Sequence, residues 1–175
     1  MEPDQSERVS ILDPKLAAAI GELIATWSGM QSLLAIALTE LMAGHALNDE
    51  ESVASGVVVL GMEARVQIGL LKTLLAFRLK KEDSDDIAKI LDKIENIKKI
   101  RDTFAHAVWE CNDKGEAFSI TVKTVGKIKY ERTPQRAQDI RAHADRLQKL
   151  AGEFCRALQK HRYLPRYIPH NRKYL

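Results

Sequence analysis

The run Lys98-Lys99-Ile100-Arg101-Asp102-Thr103-Phe104-Ala105-His106-Ala107-Val108-Trp109 marks the point where the chain changes texture. Leading into and through it, Ile87, Ile90, Leu91, Ile94, Ile97, Phe104 and Val108 recur at the spacing of one helical face. Beyond it come short stretches rich in β-branched and aromatic residues, broken by turn signals. The run therefore predicts the end of a long helix and the start of a small sheet. It also gathers an Arg, an acid directly after it, and a His five residues past the Arg.

Working outward, Met1 to Leu12 is polar without a clear period and reads as a flexible lead-in. Asp13-Pro14 is a helix start, because Asp caps exposed amides and Pro suits the first helical position. Leu16, Ile20, Leu23, Ile24, Trp27, Met30, Leu34, Leu38 and Leu41 then follow at helical spacing, and Gly44 ends the pattern. A second helix is expected from about Glu50 to Leu79, weakened by Gly56, Gly61 and Gly69 unless these small residues sit at an interhelical contact. Asp83 or Ser84 is the expected cap of the third helix.

After the motif, Ala107–Cys111, Ala117–Thr124 and Lys127–Arg132 read as strands, with turns at Asn112–Gly115 and Val125–Gly126. Thr133-Pro134 is expected to open the last helix, whose stripe is Ile140, Ala144, Leu147, Ala151, Phe154 and Leu158. The expected fold is all-α: an antiparallel bundle of four long helices over residues 13–161, with a β-hairpin or meander at about 107–132 inserted before the last helix. Residues 162–175 form a basic tail, with Arg162, Arg166, Arg172 and Lys173 interleaved with Tyr163, Tyr167 and Tyr174.

A chain of 175 residues with 45% hydrophobic and 29% charged content is long enough for a core and too apolar for a disordered polymer. Its net charge of +3 excludes a uniformly basic nucleic-acid binder, so phosphate affinity must come from local patches. Cys111 and Cys155 have no metal-site spacing, and no signal-peptide pattern or apolar run of membrane-spanning length is present. These features point to a cytoplasmic protein with reduced thiols and no membrane partner. Trp27 and Trp109 read as core anchors, and His45, His143, His161 and His170 make no metal spacing.

The motif has the parts for metal-free cleavage of RNA. A His near neutral pKa can take or give a proton, and an Arg offers a permanently charged fork that matches two phosphate oxygens. Asp102 precedes His106 by one helical turn and could hold the imidazole in one tautomer. Lys98, Lys99 and Thr103, with Arg162 and Arg166 of the tail, are candidate RNA contacts. On an ideal helix, residues five apart point roughly 140° away from one another. Arg101 continues the apolar seam while His106 falls on the polar side, so either the helix deforms or a second subunit completes the site. A charged Arg on that seam needs a wet cleft or an acid, with Glu22, Glu40 and Glu63 as candidates.

Arg101, Asp102 and His106 resemble the Arg-x4-His signature of the HEPN superfamily, helical-bundle proteins of prokaryotic toxin and defence systems, many of them metal-independent ribonucleases. The polar residue after the Arg fits that pattern, and the fold-level likeness spans roughly Asp13 to Lys160. The resemblance implies a homodimer with paired motifs facing a shared cleft. It further implies RNA as substrate, Arg101 and His106 as catalytic residues with Asp102 in support, no metal or organic cofactor, and a cognate antitoxin as a possible partner. The alternative reading is a non-catalytic helical module that binds a protein or a second copy of itself, through the third helix, the fourth, or both.

Overall fold

The computed structural model describes residues 12–43, 56–112, 116–123 and 129–161. Five helices and one sheet occur among them: α1 (Pro14–Ala43), α2 (residues 56–60), α3 (Ala64–Arg78), α4 (Lys81–His106), β1 (Val108–Cys111), β2 (Ala117–Lys123), β3 (Lys129–Gln135) and α5 (Ala137–Lys160). The chain is mostly helical, with a three-stranded antiparallel sheet of order β1-β2-β3 before the last helix. The lead-in 1–11, the expected stop at Gly44, the start of the second helix at 50–55, the two hairpin turn centres and the basic tail with Arg162 and Arg166 lie outside the described residues.

Asp13 caps α1 as its side chain implies. Its Oδ1 accepts from the Lys15 amide at 3.1 Å, and its carbonyl accepts from the amides of Leu16 and Ala17 at 2.9 Å. The second helix is not continuous. A turn at Gly61-Met62-Glu63 separates α2 from α3, so the bundle has three long helices and a shorter one of 15 residues. Gln67 bridges the break, its Nε2 donating to the Val59 carbonyl at 2.7 Å. Gly56 does face an interhelical contact, since a Cβ there would meet Thr39 of α1 at 3.9 Å.

The helix α4 begins at Lys81, earlier than a cap at Asp83 or Ser84 would place it. Glu82 and Asp83 therefore sit in its first turn, where the amide dipoles favour acids. Thr133-Pro134 does not open α5. Both residues belong to β3, opposite Ser119 and Phe118, and the helix starts at Ala137. Proline is tolerated there because β3 is an edge strand, where an N–H is not needed by a neighbour. Val108 leaves the helical stripe and starts β1, exposed to solvent.

The core joins all the helices. α1 contributes Leu16, Leu23, Trp27, Leu34, Leu38 and Leu41; Leu71 and Leu75 of α3, Leu91 and Ile94 of α4, and Leu147 and Phe154 of α5 meet them. Charged contacts set the directions. Lys72 of α3 reaches Asp92 of α4 at 2.6 Å, and Lys160 of α5 reaches Asp83 of α4 at 2.9 Å, so α4 runs antiparallel to both neighbours. Glu22 of α1 meets Arg141 of α5 at 3.5 Å, and Asp13 and Leu16 line one cleft with Arg136 and Ala137. α1 and α5 therefore run in the same direction, unlike the wholly antiparallel bundle expected from sequence. Exposed pairs of this kind contribute about 0–1 kcal/mol each, so they mark register while apolar burial supplies stability.

Phe154 is fully buried within this core. Phe154→Ala should lower unfolding free energy by about 3–5 kcal/mol, through lost burial and the cavity left behind. Urea denaturation followed by circular dichroism measures it; a loss below about 1 kcal/mol would contradict the packing described.

Candidate functional site

The motif occupies the last two turns of α4, where the helix meets α1 on one side and hands the chain to the sheet. Arg101 points inward as its place on the apolar seam requires, and 22% of its side chain remains exposed. Its partner is not one of the three glutamates expected from sequence. The guanidinium carbon lies 5.4 Å from the centre of the Trp27 ring, and Nη1 meets Oδ1 of the adjacent Asp102 at 2.9 Å. A cation over an indole face is stabilised by about 0.5–2 kcal/mol, more as water is excluded. Glu22 instead pairs with Arg141, Glu40 is buried with interactions of its own, and Glu63 is exposed ahead of α3.

Two donors in this corner have no acceptor among the described residues. Arg101 Nε and Trp27 Nε1 are both buried without a hydrogen bond. A buried donor left unmade costs about 1–3 kcal/mol, which singles out this corner from the well-satisfied remainder of α4.

Asp102 is half-buried and bridges two cations, with Oδ1 on Arg101 and Oδ2 on Lys98 Nζ at 2.5 Å. The expected Asp102–His106 contact does not form: both carboxylate oxygens are committed to cations, and Asp102 orients the guanidinium rather than the imidazole. Lys98 is consequently an ion-pair partner one turn back from Asp102. Lys99 is exposed, and the Thr103 hydroxyl donates to the Lys99 carbonyl at 3.0 Å, the common resting position of a helical Thr. His106 is exposed in the last turn and makes no hydrogen bond or ion pair among the described residues. The helix stays regular through Ala105 and His106, so one chain does not bring Arg101 and His106 onto a single phosphate.

A second histidine borders the motif. Phe104 packs between Trp109 of β1, with ring centres 6.1 Å apart, and His143 of α5, 6.4 Å away. Burial, aided by the Arg146 charge nearby, holds the His143 imidazole below its ordinary pKa despite the opposing Asp139. From the sequence His143 makes no metal spacing and carries no role. What it lies against depends on how α4 and α5 pair.

The sheet stacks its inner face on the bundle. Ala117 and Ser119 are buried there, and Gln135 Nε2 donates to Ser119 Oγ at 2.9 Å. Elsewhere on the sheet Arg132 lies 3.6 Å over the Phe118 ring and pairs with Glu110 at 2.9 Å. At the first hairpin Asn112 Nδ2 donates to Glu116 Oε2 at 2.7 Å, and the Glu116 amide donates to Asn112 Oδ1 at 2.8 Å. A cleft of about 360 Å³ opens where the starts of α1 and α5 meet the sheet, lined by Asp13, Leu16, Glu116, Phe118, Gln135 and Arg136. No motif residue lines it. Among the described residues no cluster of His, Cys, Asp and Glu has metal-site geometry, neither cysteine is in a disulfide, and no helix is long and apolar enough to cross a membrane.

The lowered His143 pKa sets a pH dependence. The folded state binds that proton less readily than the unfolded chain, so the contribution is present above the ordinary imidazole value of about 6.5 and is lost as pH falls through the folded value. Denaturation midpoints should fall between pH 8 and pH 5, and His143→Gln should flatten that slope. An unchanged slope would show that other groups carry it.

No protein-family model, curated protein or solved structure matches this chain.

Proposed function

We infer that this chain is a metal-independent, RNA-cleaving protein of HEPN type, acting as a homodimer in a toxin or phage-defence role. The observation that carries the reading is the state of Arg101. Its guanidinium is seated on Trp27 and paired with Asp102 before any ligand arrives, and is partly open to solvent. Preorganised charge of this kind is what stabilises a developing phosphorane without reorganisation during the reaction.

In this mechanism the ribose 2′-hydroxyl loses its proton and attacks the adjacent phosphorus. Arg101 takes up the charge on the non-bridging oxygens. The 5′-oxygen leaves with a proton, giving a 2′,3′-cyclic phosphate and a 5′-hydroxyl. His106 performs one of the proton transfers as general base or acid. Arg101 and His106 diverge on a regular helix, so His106 reaches the phosphate from a second copy of the chain. Asp102 acts as the positioning residue for Arg101. Lys98, Lys99 and Thr103, with Arg162 and Arg166 of the tail, flank the RNA backbone, and an antitoxin protein is the natural partner for such an effector.

One observation favours a second reading. Arg101, bound to Asp102 and seated on Trp27, also works as a staple between α4 and α1, which suits a non-catalytic interaction module.

Cleavage of mixed RNA by the purified chain in EDTA separates the two. The nuclease reading expects activity that falls by about 10²–10⁴ in His106→Ala, with Arg101→Ala at least as impaired and both variants folded. Inactivity of the wild-type chain and both variants would favour the module, and equal cutting by all three would remove Arg101 and His106 from the site.

A further inference from the structure

The outward side of α3 is apolar and small along its length. Val66, Leu70 and Phe77 are exposed there, Phe77 at 90%, and Thr73 completes a row spaced four, three and four residues apart. That spacing lies on one helical face. Gly69 and Ala76 sit beside the row, also exposed, while Arg65, Lys72 and Arg78 lie off it. The neighbouring α2 adds exposed Val57, Val58 and Leu60.

Gly69 leaves this face without a side chain at one exposed position, as Gly21 does on α1. Glycine is the poorest helix-interior residue after proline, and it persists where a close approach uses the missing side chain. Among the described residues nothing makes that approach: a Cβ built on Gly69 would have no atom within 4 Å. A helix crossing from outside would use the space.

The charges at the two ends of the row select the occupant. Exposed Glu63 precedes it and exposed Lys80 and Lys81 follow it, with Arg65 and Arg78 off the row. Two copies of α3 laid antiparallel across a two-fold axis place each acid against the other copy's cations, whereas parallel copies oppose like charges. The row is close to self-complementary in that arrangement, with Val66 against Phe77 and Leu70 against Thr73. We propose that a second copy of this chain packs here in an antiparallel, isologous α3–α3 contact centred between Leu70 and Thr73. The antiparallel sense sends the two α4 motifs towards opposite ends of the contact. It is therefore a surface separate from any that would complete an RNA site, and it does not rest on the cleavage reading.

Sedimentation of the full chain over a concentration series tests it, with circular dichroism as the folding control. The wild type should associate through this face, as a dimer if α3 is the sole contact and as a larger assembly if a contact at the motif forms as well. Leu70→Glu, or Thr73→Glu should the first fail to fold, should weaken the dimer by roughly thirtyfold or more with helix content kept. Glu63→Lys should weaken it too, and adding Lys80→Glu should restore it, because each reversed charge again meets its opposite. An association state and constant unchanged by Leu70→Glu and Thr73→Glu would place every contact elsewhere and overturn the proposal, whereas a fall from a larger assembly to a dimer would leave the motif contact intact. A wild type that stays monomeric would overturn it too, including one whose α3 amides resist hydrogen exchange because a terminal segment of the same chain covers the row.

Discussion

The second half of α1 is buried on almost every side, and the other helices are placed by the need to cover it. Leu34, Ala35, Ala37, Leu38, Thr39, Glu40 and Leu41 are all buried, a pattern no single partner helix can produce. Each fully buried Leu contributes about 1.5–3 kcal/mol, so the covering of this segment by α3, α4 and α5 outweighs the exposed ion pairs that join the same helices. Of the polar members, Thr39 Oγ1 donates to the Ala35 carbonyl at 2.9 Å, while Glu40 Oε1 is buried without a hydrogen bond among the described residues.

The motif inherits its geometry from that packing. α4 is held against α1 at Trp27, and Arg101, on the inward seam, has to find a partner at that depth. An aromatic face supplies one without a second buried charge, while Asp102 ties off the outer edge of the guanidinium. The cost is two buried donors with no acceptor. His106 escapes these constraints because it lies off the seam, so the arginine is seated against α1 and the histidine is exposed.

The long helices were legible because their apolar residues recur at helical spacing over many turns, and the Asp13 cap because its chemistry is local. The strands were legible from composition, since β-branched and aromatic residues cluster after Trp109. The break at Gly61–Glu63 was not, because Leu60, Ala64 and Ile68 keep helical spacing across the turn. Pro134 misled because proline suits both a helix start and an edge strand, and only the pairing with Phe118 decides. At the site, the sequence marked Arg101 as an anomaly on an apolar face but offered acids as its partners. The roles of Trp27 and His143 depend on how α4 sits against α1 and α5, a long-range relation that periodicity does not encode.

The central claim is that Arg101 of one chain and His106 of another act on the same phosphate. Complementation tests it most directly: Arg101→Ala and His106→Ala chains are refolded together, and RNA cleavage by the mixture is compared with that of each alone. Recovery of a substantial fraction of wild-type cleavage is the predicted result, because a mixed dimer holds one intact Arg101–His106 pair. A mixture shown to contain mixed dimers yet as inactive as its components would contradict a site shared between chains.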